Sequence, residues 1–141
     1  MNIEVIEYAP EVFKKLRILD GINNMGIVNS INVKFRFQKV TDSEGYSQAI
    51  FISTQDHKYV LKTLKEQEFK NIFDKFLYFY VNFLEKNPDS LLCRIYGIYR
   101  IKPSDSSDHM LFILLRNAKG PFNKVNKLYK KNIEKIYTKI I

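Results

Sequence analysis

Between Lys65 and Glu85, apolar residues recur every three or four positions: Phe69, Ile72, Phe73, Phe76, Leu77, Tyr80, Phe83 and Leu84. That spacing predicts a long helix with one wide apolar stripe, stopped at Asn87-Pro88 because the residue before a proline disfavours helical backbone. A shorter helix is predicted from Ala9 to Asp20, where Val12, Phe13, Leu16 and Leu19 keep the same period. Pro10 suits its first turn and Gly21 its stop. Elsewhere the period changes to two. Val33 to Lys39 alternates apolar and polar positions and predicts a half-buried strand. After a turn at Thr41 to Gly45, Tyr46 to Ser53 and Lys58 to Thr63 form a predicted strand pair across the polar link Thr54-Gln55-Asp56-His57. Leu91 to Lys102 and Met110 to Arg116 are two further predicted strands, separated by the polar loop Pro103 to His109. Phe122 to Ile140 reads as a second long helix, with Val125, Tyr129, Ile133, Ile136, Tyr137 and Ile140 along one side.

The order of these elements predicts an α+β fold. Five antiparallel strands form one sheet, the long helix covers it, a short helix precedes it and a basic helix follows. Residues 1–118 make the sheet domain and 119–141 the basic helix. Neither an internal repeat nor a low-complexity linker interrupts the chain.

Composition narrows the function classes. The chain has 141 residues, 45% of them hydrophobic and 14% aromatic, enough to build a core. Cys93 is the only cysteine, so no internal disulfide is available and a reducing compartment is the default. The sequence carries no His/Cys cluster of the zinc type, and the expectation is that no residue serves as a metal ligand. No apolar run approaches the roughly 20 residues that span a bilayer, and the first residues lack the basic, apolar pattern of a secretory signal. The expected location is intracellular, in the cytoplasm or on the face of a membrane or organelle assembly. Net charge is +8. Its excess lies at one end: from Arg116 to Ile141, eight basic residues stand against Glu134 alone. Such an end favours an acidic surface, whether anionic lipid, nucleic acid or protein, although no nucleic-acid readout motif accompanies it.

Three residue types in order suggest a nucleotide-phosphate site. Glu44-Gly45-Tyr46-Ser47-Gln48-Ala49 is a candidate loop over phosphates. Lys62, in Tyr59-Val60-Leu61-Lys62-Thr63, is a candidate phosphate-neutralising lysine on the next strand. Glu68, or Glu66, at the start of the long helix is the acid that would hold that lysine in place. Taken singly, Lys62 also fits an ordinary strand-end lysine, and Glu68 a first-turn acid favoured by the helix dipole.

The ordered set resembles the phosphatidylinositol phosphate kinase family, in particular the N-terminal lobe of phosphatidylinositol-4-phosphate 5-kinase-like members. Tyr8-Ala9-Pro10-x-Val12-Phe13-x-x-Leu16-Arg17 is similar to that family's opening helix. Gly45-Tyr46-Ser47-Gln48-Ala49-Ile50-Phe51 falls at its Gly-Lys-Ser-Gly-Ser loop. Lys58 to Glu68 is similar to its lysine strand and following helix, and Asn87-Pro88-Asp89-Ser90-Leu91-Leu92 with Tyr96-Gly97-Ile98-Tyr99 to a further segment. Leu111 to Asn117 sits where its hinge strand would be. The resemblance implies a kinase N-lobe with Gly45, Ser47, Lys62 and Glu68 as the nucleotide-contacting positions.

The departures bear on activity. Gln48 and Ala49 replace the loop's second glycine and serine, and a side chain at Gln48 crowds the backbone approach to phosphate. After Asn117 no counterpart of the family's Asp-Leu-Lys-Gly-Ser segment or metal-binding aspartates follows. The expectation is therefore a non-catalytic lobe, a pseudokinase-like interaction or structural subunit with no catalytic residue and no bound cofactor. ATP and Mg²⁺ enter only if a catalytic lobe is supplied. A protein partner would cover the exposed face of the lobe. Two alternatives stand beside it: a fragment of an active, ATP-dependent phosphatidylinositol phosphate kinase, and a module that binds anionic membrane or nucleic acid through the basic helix. His57 and His109 are expected to be solvated in polar loops, and Cys93 to be a buried small side chain.

Overall fold

The structure is a computed structural model that describes residues 3–32, 36–38, 49–54, 56–105 and 107–118. Its centre is a six-stranded antiparallel sheet made of β1 (Ile3–Glu7), β2 (Arg36–Gln38), β3 (Phe51–Ser53), β4 (Tyr59–Leu64), β5 (Ile95–Pro103) and β6 (Met110–Arg116). The spatial order is β1-β5-β6-β4-β3-β2. Among the described residues, four helical segments accompany it: α1 (Pro10–Leu19), α2 (Asn24–Asn32), α3 (Glu66–Asn71) and α4 (Leu77–Lys86), with a π-helical turn, Ile72–Phe76, between the last two.

The α+β sheet under a helical layer is the arrangement the periodicity predicts, and all five expected strands are in it. Ile3–Glu7 adds a sixth strand at the edge, where it pairs with Tyr99 to Pro103 of β5. Its first three residues are exposed, so it lacks a buried face to give alternation. The helix α2 was not anticipated either. It contributes Ile27 to the core, and Ser30 donates a hydrogen bond to Asp56 in the β3–β4 turn. The strand expected from Leu91 begins only at Ile95, because the preceding residues are held in a turn: Ser90 N bonds Asn87 O and Leu92 N bonds Ser90 Oγ. The basic helix expected over 119–141 lies outside the described residues.

Alternation along β4, β5 and β6 divides the core between the two faces of the sheet. One face packs Leu64, Ile95, Ile98, Ile113 and Leu115 against Phe13 and Leu16 of α1 and Leu77, Tyr80 and Leu84 of α4. The opposite face packs Tyr59, Tyr96 and Leu114 around Ile27. Buried polar groups join the elements. The Arg17 guanidinium donates to Tyr96 O at 2.6 Å and pairs with Glu7 at 3.3 Å, tying α1 to β5 and β1. Asp20 accepts Tyr96 Oη at 2.7 Å and pairs with Arg94 at 3.3 Å.

The helix predicted as one piece from Lys65 to Glu85 is divided by the π turn. Phe69, Phe73 and Leu77, all of which meet the core, are spaced by four and four. Two steps of four carry an α-helix about 80° away from its starting face. The wider turn takes up that drift, so that Leu77, Tyr80 and Leu84 continue on the sheet side.

Candidate functional site

Lys62 lies in the middle of β4, opposite Phe51 of β3 and Ile113 of β6. Two positions along, Leu64 belongs to the core on the α3–α4 side, and period two puts Lys62 on that same side of the sheet. The chain leaves β4 at Leu64, and α3 starts at Glu66 with Lys65 as its N-cap. Glu68, at the third position of the helix, turns back: its Oε2 accepts the Lys65 backbone N–H at 2.8 Å. This is the acidic half of a capping box, and it leaves Oε1 directed at Lys62, whose Nζ is 3.5 Å away. The Lys62 side chain is 24% exposed and that of Glu68 43%. The pair is therefore open enough for a ligand to reach, and water screens it.

Local structure explains why these two residues meet. A strand and the helix that follows it are joined here by a single residue, and a carboxylate three positions past the cap is the one that reaches back over the strand end. Of the two acids considered from sequence, Glu68 takes the lysine. Glu66 points elsewhere: its Oε1 lies 2.6 Å from Nε2 of His109, just before β6. His109, expected to be solvated, is exposed but engaged. Its partner is 43 positions away, so no local pattern signals the contact. His57 is exposed in the β3–β4 turn at φ 56°, and its carbonyl accepts Asn117 Nδ2 at 2.8 Å. Cys93, expected to be buried, is exposed instead, because it falls in the turn preceding β5 and not within the strand.

Gly45 and Ser47, the loop positions read from sequence as phosphate contacts, lie outside the described residues, and so does Gln48. Just before β3, Ile50 joins the ladder through Thr63 N to Ile50 O at 3.0 Å. Among the described residues, no group of three or more His, Cys, Asp or Glu side chains could hold a metal ion. No helix of the described residues is long and apolar enough to cross a membrane. An ammonium steadied by a carboxylate on a following helix is chemically suited to neutralise an anionic oxygen, such as that of a nucleotide phosphate.

Comparison with known proteins gives the family. The family model for phosphatidylinositol-4-phosphate 5-kinase matches residues 34–131. A phosphatidylinositol 4-phosphate 5-kinase of Plasmodium falciparum is 30% identical over 136 residues, covering 86% of this chain and 8% of that protein. One from Schizosaccharomyces pombe is 28% identical over 124 residues, 87% of this chain and 16% of its own length. Human phosphatidylinositol 5-phosphate 4-kinase type-2 beta is 31% identical over 115 residues, 79% of this chain and 26% of its own length. The chain thus spans only a small part of the relatives it matches.

Proposed function

The chain belongs to the phosphatidylinositol-4-phosphate 5-kinase family, and from that premise we propose that it is the nucleotide-side lobe of such a kinase, working as a non-catalytic interaction module. The nucleotide-side part of this reading rests on the Lys62–Glu68 pair at 3.5 Å, formed on the strand and helix where a kinase lobe keeps it, and the non-catalytic part on the altered loop sequence. Phosphoryl transfer needs more than the pair: a base for the accepting hydroxyl and carboxylates for Mg²⁺. Gln48 and Ala49 stand at the positions where the family's loop has the glycine and serine that let phosphate approach. ATP and Mg²⁺ are bound only with a complementary catalytic lobe. In this reading a protein partner covers the exposed aromatic face of α4.

The test is thermal denaturation of the chain with ATP, with and without Mg²⁺, alongside an assay of phosphoinositide phosphorylation. No shift in Tm and no product are expected. A nucleotide-induced shift that disappears in Lys62→Ala overturns the proposal. It would favour the second reading, in which this lobe serves an active, ATP-dependent phosphatidylinositol phosphate kinase; the intact ion pair is what speaks for that alternative.

A further inference from the structure

The contact between His109 and Glu66 acts on the helix that carries Glu68. That helix, α3, is six residues long and has no buried residue. Its backbone runs on without a break into the π turn and α4, so its C-terminal end is held, and contacts must set the position of its first turn. Phe69 braces one side against the Tyr8 ring, with centroids 4.7 Å apart. At the N-terminal end, Glu68 caps Lys65 N and pairs with Lys62, and both of these contacts stay within the β4–α3 connection. Among the described residues, a hydrogen bond that reaches this end from a distant part of the chain joins His109 to Glu66, at 2.6 Å.

The arm that carries His109 is firmly placed. Met110, the next residue, opens β6 opposite Ile101 of β5, and Leu111 is opposite Leu64 of β4, two residues before α3 begins. The ladder on either side therefore fixes the backbone directly after His109. Glu66 and Glu68 are neighbours in the first turn of α3, so a pull on one moves the other.

We propose that His109 is a positioning residue: it holds the first turn of α3 so that Glu68 faces Lys62, which makes the residue before β6 a control point on that lysine. The importance for nucleotide rests on the function proposed above; the mechanical link does not. Because the His109 and Glu66 side chains are 34% and 60% exposed, the link is worth a modest factor, about two- to fivefold in the local opening of α3.

The experiment uses the full chain without nucleotide. It measures amide hydrogen exchange at residues 66–71 and the rate at which an amine reagent modifies Lys62. His109→Ala and Glu66→Ala are each expected to raise both rates about two- to fivefold, with amides of β4 and β6 unchanged. The double variant should be no faster than either single one, and His109→Gln, whose amide still donates to Glu66, should restore wild-type rates. Wild-type rates in His109→Ala, multiplicative effects in the double variant, or His109→Gln behaving like His109→Ala would each overturn the proposal. Since no ATP is present, the outcome is independent of whether the lobe binds nucleotide.

Discussion

Gly21 shows how a single backbone position closes an element. It has φ +69°, in the left-handed region, directly after the last turn of α1. Its N–H bonds Ile18 O at 3.0 Å, and Ile22 N bonds Arg17 O at 2.8 Å. Together these are the two bonds of a Schellman ending. The turn keeps Asp20 beside Tyr96 and Arg94 and so secures α1 to the sheet. A Cβ on Gly21 would meet nothing within 4 Å. The cost of Gly21→Ala is therefore conformational and not steric, and about 1 kcal/mol of stability should be lost. Asn, which tolerates this backbone better, should lose less. Urea denaturation of the two variants checks both the size and the order; an alanine variant as stable as the wild type would contradict the reading.

At the scale of elements, β5 is held at its start by tyrosine hydroxyls. Tyr80 Oη donates to Cys93 O at 2.7 Å and accepts Ile95 N–H at 2.9 Å, joining α4 to the strand as it begins. Tyr96 Oη bonds Asp20. Burial pushes the Tyr80 phenol up to about 12, although the Ile95 N–H pulls the other way. Burial likewise raises Tyr96, with the Asp20 bond adding to it, and raises Tyr59 and Tyr99. The unfolded chain ionises its tyrosines near 10 while the fold keeps these neutral. Their contribution is thus complete below pH 10 and drains away as pH rises from 10 through 12. The expected result is cooperative loss of far-UV circular dichroism in that window, together with a steep rise in tyrosinate absorbance. Independent titration of every tyrosine near 10 with the fold intact would refute it. These hydroxyl anchors were not legible in the sequence, and the reason is general to the fold. Periodicity reports which face of an element is apolar, so it found α1, the α3–α4 stripe and the strands that alternate. It gave Gly21 and Lys62 correct positions because a helix stop and a strand lysine are local features. It missed β1, which buries no clean face, and α2, whose described core residue is Ile27. The π turn escaped it because two spacings of four look like an ordinary stripe. Partners such as Arg17 with Tyr96 or Glu66 with His109 are joined by topology, across 79 and 43 positions, and no window of sequence contains both. Half of the candidate site was therefore readable: the acid and the lysine lie six residues apart, and one β-turn-free connection brings them together.

Over the whole molecule, among the described residues, the sheet has a helix-covered face, and the outer side of α4 carries exposed rings. Tyr78 is 74% exposed and Phe79 70%, and their rings touch edge to face. Phe83, Leu91 and Leu92 extend the apolar surface toward the β5 end. Contiguous aromatic exposure of this kind marks association surfaces. The charges of the surrounding sequence, 70–89, balance: Lys70, Lys75 and Lys86 stand against Asp74, Glu85 and Asp89. A surface for anionic lipid gains from a clear basic excess, and this face has none, so the proposed occupant is protein. Replacing both exposed rings, Tyr78→Ser with Phe79→Ser, removes apolar area that contributes little to the core. Tm should therefore stay within about 2 °C, while binding of a hydrophobic dye and concentration-dependent association in light scattering both fall. Binding to phosphatidylserine vesicles, where it occurs, should be indifferent to the change, since the face lacks the charge to direct it. If dye binding and association persist unchanged while vesicle binding is lost, the face belongs to a membrane and the protein-partner reading of this lobe fails.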